Sequence, residues 1–260
     1  MKFKTITGAL IAASAFTLAL ASCGGKDNKK TTPTTPTTPA ISTTDPVTTT
    51  TSQEVELMTY AQYNAATDGT KVKIQGYVQG KQSWWSNKAT IYMQDDNGGY
   101  FVYELGCSQD DYNTKLTVGA HIEIEGVKGS WAGQQEVLGS QAGDEATWKV
   151  VDSATKTYEA EEIKFNEVAM TANINKKVKF VELEVVKVEA PTSEGGDIYY
   201  DVKKGDLTLT FCVESYLCDK TTDVYKTVLA LQVGDIINVE GFMYTYNKPQ
   251  LHTTACSVLK

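Results

Sequence analysis

Leu116-Thr117-Val118-Gly119-Ala120-His121-Ile122-Glu123-Ile124-Glu125-Gly126 returns as Leu231-Gln232-Val233-Gly234-Asp235-Ile236-Ile237-Asn238-Val239-Glu240-Gly241. Seven of the eleven positions are identical or nearly so. The shared pattern, L-x-V-G-x-x-I-x-[IV]-E-G, alternates apolar residues after a glycine. That is how a half-buried strand entered through a tight turn reads. Matching segments extend the repeat upstream. Lys71-Val72-Lys73-Ile74 echoes Lys177-Val178-Lys179-Phe180, and Ile91-Tyr92-Met93-Gln94 echoes Ile198-Tyr199-Tyr200-Asp201. The lead-ins agree in kind, Met58-Thr59-Tyr60 against Ile163-Lys164-Phe165. The offset between copies grows from about 106 to 115, so the second copy carries roughly eight extra residues before its fourth strand. A connection absorbs such an insertion cheaply, because closure entropy rises slowly with loop length. The chain therefore holds two copies of one domain of about 100 residues.

Five strands are predicted in the first copy, residues 54–150: Lys71–Gln79, Ala89–Gln94, Tyr100–Glu104, His121–Lys128 and Gln134–Gly139. Asp95-Asp96-Asn97-Gly98-Gly99 is a hairpin turn, where Asn-Gly and Gly-Gly supply positive φ. Cys107–Thr117 is the place for a short helix or loop over the barrel end. Residues 151–157 read as a linker. In the second copy, residues 158–260, strands are expected at Lys177–Val188, Ile198–Lys203, Leu207–Val213, Asp235–Tyr244 and Pro249–Thr254. Asp223–Leu229 suits a short helix.

These motifs resemble the tandem OB-fold modules of bacterial secreted and surface proteins, domains similar to nucleic-acid-binding ones. The likeness rests on Met58–Tyr63, Val72–Val78, Ile91–Asp95, Leu116–Gly119 and Glu125-Gly126. It implies an all-β chain of two five-stranded Greek-key barrels. OB-folds take ligands on strands two and three, between the loop after strand one and the loop after strand four. In the first copy those loops are Gly80–Lys88, with Lys81, Trp84, Trp85 and Lys88, and Lys128–Gln134, with Trp131 and Gln134. Tyr92 and Tyr103 lie on the strands between. Aromatics among polar residues suit stacking on bases or sugar rings. The same tryptophans would equally close the barrel or pack on the second copy. The second copy has an acidic first loop, Glu189–Asp197, without aromatics, and a far loop with Tyr244, Tyr246, Asn247 and Lys248.

The N-terminus reads as an export and anchoring device. Lys2 and Lys4 precede an apolar run, Ile6 to Leu20, and Leu20-Ala21-Ser22-Cys23 resembles a lipoprotein lipobox of the Bacteroides type. Residues 1–22 would be the signal peptide. Acylated Cys23 would hold the chain on the outer membrane of the cell envelope, surface-exposed or periplasmic. Residues 23–53 are dominated by Thr and Pro and cannot bury enough apolar area to order themselves, so a disordered tether is expected. Asp152-Ser153-Ala154 resembles the O-glycosylation motif of the same group, with Ser153 as acceptor.

Composition narrows the function. All 24 basic residues are lysine against 32 acids, a net charge of −8. That excludes a general polyanion binder. No Ser/His/Asp grouping, CxxC pair, HExxH helix or Walker loop appears. Without arginine, a phosphodiesterase clamp of the nuclease kind is missing. His121, Glu123 and Glu125 share a strand face but read as solvated rather than as a zinc site. A non-enzyme without metal or cofactor is expected, taking a single-stranded oligonucleotide or an oligosaccharide in its first domain. The other class is a structural subunit with a cell-surface protein partner. A disulfide between Cys212 and Cys218 is predicted from their spacing in an oxidising compartment, with Cys256 as the competing partner and Cys107 left free.

Overall fold

In the repeated stretch, Gly119 and Gly234 both sit at φ 92°, a left-handed position that β-carbons resist. Each turn is pinned in the same way: the Gly119 N–H donates to Val78 O at 2.7 Å, and the Gly234 N–H donates to Val185 O at 2.9 Å. The shared pattern thus encodes one turn twice. The computed structural model describes residues 54–141 and 144–259. The signal peptide, the tether and Cys23 lie outside the described residues.

The first copy contains β1 (Lys71–Lys81), β2 (Lys88–Gln94), β3 (Gly99–Gly106), β4 (Ala120–Trp131) and β5 (Gln134–Leu138). Its sheet order is β1-β2-β3-β5-β4, closed by β1–β4 pairing, with β3 parallel to β5. This is the five-stranded Greek-key barrel of an OB-fold. Val72, Ile74, Ile91, Met93, Val102, Ile122, Ile124 and Val137 alternate inward to fill it. Helix α1 (Tyr60–Ala65), with a Thr59/Gln62 capping box, and helix α2 (Gln109–Thr114), capped by Ser108, flank the barrel. After β5 come the short β6 (Ser140–Gln141) and β7 (Asp144–Glu145), then β8 (Thr147–Thr155), which pairs with β4. The predicted linker 151–157 is thus strand as far as Thr155.

The second copy repeats the plan. The two-residue β9 (Glu161–Glu162) and helix α3 (Glu167–Ala172) lead into β10 (Lys177–Glu189), β11 (Ile198–Lys204), β12 (Leu207–Val213), β13 (Ile236–Tyr246) and β14 (Lys248–Leu259). The order β11-β12-β14-β13-β10 closes through β10–β11. The insertion before β13 holds helix α4 (Asp223–Leu229), whose Val224, Tyr225 and Val228 enter the core.

Pairing registers fix which residues correspond between copies. β1 bulges between Val78 and Gly80, and β10 bulges between Val185 and Lys187. Gly80 and Lys187 are therefore equivalent, and so are their partners Tyr92 and Asp201. Opposite these stand Phe101 and Thr210. The sequence match paired Tyr92 with Tyr199. The actual register shifts it by two residues, which keeps the same face.

The two barrels dock through that face of the first copy. Tyr92 stacks on Phe242 with ring centroids 4.2 Å apart, and its hydroxyl lies 2.9 Å from His252 Nδ1. Phe101 meets Tyr244 edge-on at 5.6 Å. Glycines admit the approach: a β-carbon on Gly80 would lie 2.7 Å from the Phe242 ring, and one on Gly99 2.3 Å from the Asn175 backbone. Backbone bonds tie the rims, from the Ser83 N–H to Tyr216 O at 2.7 Å and from the Asn247 N–H to Ala132 O at 2.6 Å.

The expected disulfide is absent; Cys212 and Cys218 are buried and unpaired. On β12, Phe211 and Val213 face the core, so period two turns Cys212 away from it, while Cys218 packs inside that core. The two thiols sit on opposite sides of one sheet.

Candidate functional site

The β4–β5 hairpin turns through Ala132 (φ 50°) and Gly133 (φ 87°), a two-residue loop with both φ positive. It holds Trp131 outward, 56% exposed. The equivalent residue of the second copy is Tyr246, at the end of β13, and the two rings meet at 5.2 Å. Thus the matching hairpin tips of the two copies touch each other.

Beside Trp131 a cavity of about 460 Å³ opens between the barrels. Its aromatic walls are Phe101, Tyr103, Trp131 and Tyr244. Its polar groups are Gln82 and Ser130, the carboxyls of Glu136 and Glu214, and His252. Glu136 sits on β5 and is 4% exposed; Glu214 follows β12 and is 9% exposed. Burial pushes both carboxyls up to about 7, with Asp197 adding to the effect at Glu214. Burial also pushes His252 down to about 3, so its ring is neutral. Glu214 Oε1 accepts the Tyr216 N–H at 3.1 Å, whereas its buried Oε2 has no partner among the described residues. No lysine lines the cavity.

The residues expected to bind ligand are divided by the structure. Trp131 and Tyr103 reach the cavity. Tyr92 and Gln134 do not: both are fully buried between the barrels, because the second copy covers the face expected to take ligand. Gln134 clamps the joint, accepting the Thr245 N–H at 3.0 Å and donating to Asn175 Oδ1 at 2.5 Å. Trp84 packs on the first core and donates its indole N–H to Cys107 O at 3.1 Å. Trp85 is exposed but lines no part of this cavity. Lys81 donates to Tyr112 O at 2.6 Å, and Lys88 pairs with Glu104 at 2.6 Å. The cavity is also not confined to the first domain, since Glu214, Tyr244 and His252 come from the second.

His121, Glu123 and Glu125 have separate partners, Asp152, Lys149 and Lys73. Ser153 is exposed within the part of β8 where pairing jumps from Ile122–Val150 to Ala120–Thr155. The acids Glu136 and Glu214 were not singled out in the sequence. The only local sign at Glu136 is that it shares a strand face with Gln134, opposite the core residue Val137.

No family model matches the chain, and no curated protein matches it. Among solved structures, the p204 HINb domain aligns at TM-score 0.32 and 14% identity, over 75% of this chain and 100% of that one. The Ifi202 HINa domain in complex with 20-bp double-stranded DNA aligns at 0.35 and 13%, over 72% and 94%. Entamoeba histolytica asparaginyl-tRNA synthetase aligns at 0.30 and 19%, over 39% of this chain, which spans 24% of that enzyme. The OB-fold assignment rests on the strand pairings given above.

Proposed function

We propose that this chain is a non-catalytic, lipid-anchored binding protein that takes an oligosaccharide in the cleft between its two barrels. The observation that carries the reading is the lining of that cleft: aromatic rings beside Gln, Ser, His and two carboxyls, with no lysine. Aromatic faces stack on sugar rings, and the polar groups suit hydroxyls. A phosphate backbone would meet two acids and no cation, and most surface lysines are already engaged by acids, such as Lys73, Lys149 and Lys203. Acylation at Cys23 would set the protein on the envelope with the tether as spacer.

The test compares binding of neutral oligosaccharides and of single- and double-stranded DNA to the full chain at low and high salt. Sugar binding that ignores salt and falls about tenfold in Trp131→Ala supports the reading, at roughly 1–3 kcal/mol per stacked ring. Binding of DNA that weakens steeply with salt, with no sugar bound, would overturn it.

A further inference from the structure

The cleft is built more specifically than a neutral sugar requires. Two carboxylic acids, each more than nine-tenths buried, face one cavity. Neither is held charged by a cation among the described residues, and Glu214 Oε2 has no partner of good hydrogen-bond geometry there, with only the Gln82 side chain and local backbone acting on that carboxyl. Buried carboxyl groups are ordinarily paired or fully hydrogen-bonded, because desolvation is otherwise uncompensated. Around them stand Phe101, Tyr103, Trp131 and Tyr244, whose ring faces attract a cation.

We infer that the ligand carries a protonated amine on its ring, an amino sugar whose ammonium group is taken by Glu214 and Glu136 inside the aromatic walls. The inference rests on the oligosaccharide reading and narrows its substrate class. An ammonium supplies the donors that Glu214 Oε2 lacks, in charge-assisted bonds stronger than those of a hydroxyl. The raised proton affinity of both acids fits a site completed by a cation from outside. An N-acetylated sugar, whose nitrogen carries no charge, loses that contact.

The experiment titrates three β-1,4-linked hexamers into the full chain: glucosamine, N-acetylglucosamine and glucose. The glucosamine hexamer is expected to bind about tenfold to a hundredfold more tightly than the glucose hexamer, the range for a charged hydrogen bond. Glu214→Gln, which keeps shape and removes charge, should erase most of that preference. Glu136→Gln should reduce it further. Glu56→Gln, at an exposed acid on the chain leading into the first barrel, should leave it intact and so exclude general attraction of a polycation to an acidic protein. Equal affinities for the three hexamers would overturn the inference, as would a preference that survives in both cleft variants. In either case, binding of the glucose hexamer that depends on Trp131 would leave the oligosaccharide reading standing. Failure of every hexamer to bind would overturn both.

Discussion

The same face of the same barrel has opposite fates in the two copies. In the first, Gly80, Tyr92 and Phe101 form a smooth apolar seat on which the second barrel lies. In the second, the equivalent positions hold Lys187, Asp201 and Thr210, and the Thr210 hydroxyl donates to Asp201 at 2.6 Å. A cavity of about 480 Å³ lies open there, with Tyr199 and Tyr246 on its walls. One copy has given that face to packing, and a cleft lies at the edge of the packing. The side chains at these positions differ while the strands beneath them pair alike.

The strongest way to break this comparison is Tyr92→Ala. Tyr92 is fully buried and loses both the Phe242 stack and the His252 hydrogen bond. Denaturant unfolding should show a loss of about 3–5 kcal/mol. The same substitution at Tyr199, 40% exposed, should cost under about 1 kcal/mol. Next is Gly80→Ala, whose new methyl meets the Phe242 ring. It should cost about 1–3 kcal/mol through overpacking, against almost nothing for Gly106→Ala, which has open space.

The cleft acids add a pH dependence. Each has a folded pKa of about 7, raised by burial above the ordinary carboxyl value. The folded state then binds more protons than the unfolded state, so this contribution is present below the ordinary carboxyl value. It is lost as pH rises through about 7. His252, depressed to about 3, works in the opposite direction as pH rises from about 3 to its ordinary value. The informative measurement is therefore the difference between wild type and Glu214→Gln. The variant should gain relative stability on going from pH 5 to pH 8, on the order of 1–3 kcal/mol. A constant difference across that range would remove Glu214 from the list of buried, uncompensated acids. A small stability effect is expected at Trp131. Its replacement by Ala should cost under about 1 kcal/mol, the Tyr246 ring contact being its main packing partner, while oligosaccharide binding falls.

The barrels were legible because their information is local. Gly119 and Gly234 announce a turn that only positive φ can make, and the alternation after each places its strand. Helix α4 was legible from Asp223–Leu229 for the same reason. The joint between the barrels was not, because docking depends on which strand face is covered by a segment some 150 residues away, as Tyr92 and His252 show. One sign was present: β2 is apolar on both faces, Ile91 and Met93 inward and Tyr92 outward, and strands buried on both sides read that way. The register of β11 was read two residues off because Ile91-Tyr92 matches Ile198-Tyr199 in residue type, while the structural counterpart of Tyr92 is Asp201, and a shift of two keeps the strand face. Cys212 and Cys218 were near in sequence, but proximity along a chain does not say that a sheet stands between two thiols.

The docking of the barrels also has a consequence for assembly. The contact is head-to-tail: the back of one copy, through Phe242 and Tyr244, sits on the front of the other. A front left free in such a contact can take a further back, giving a ring where the rotation closes and a filament where it does not. Lys187 and Asp201 occupy that free front. Burying them under a third barrel would strip two charges of water, which opposes a further copy in the same arrangement.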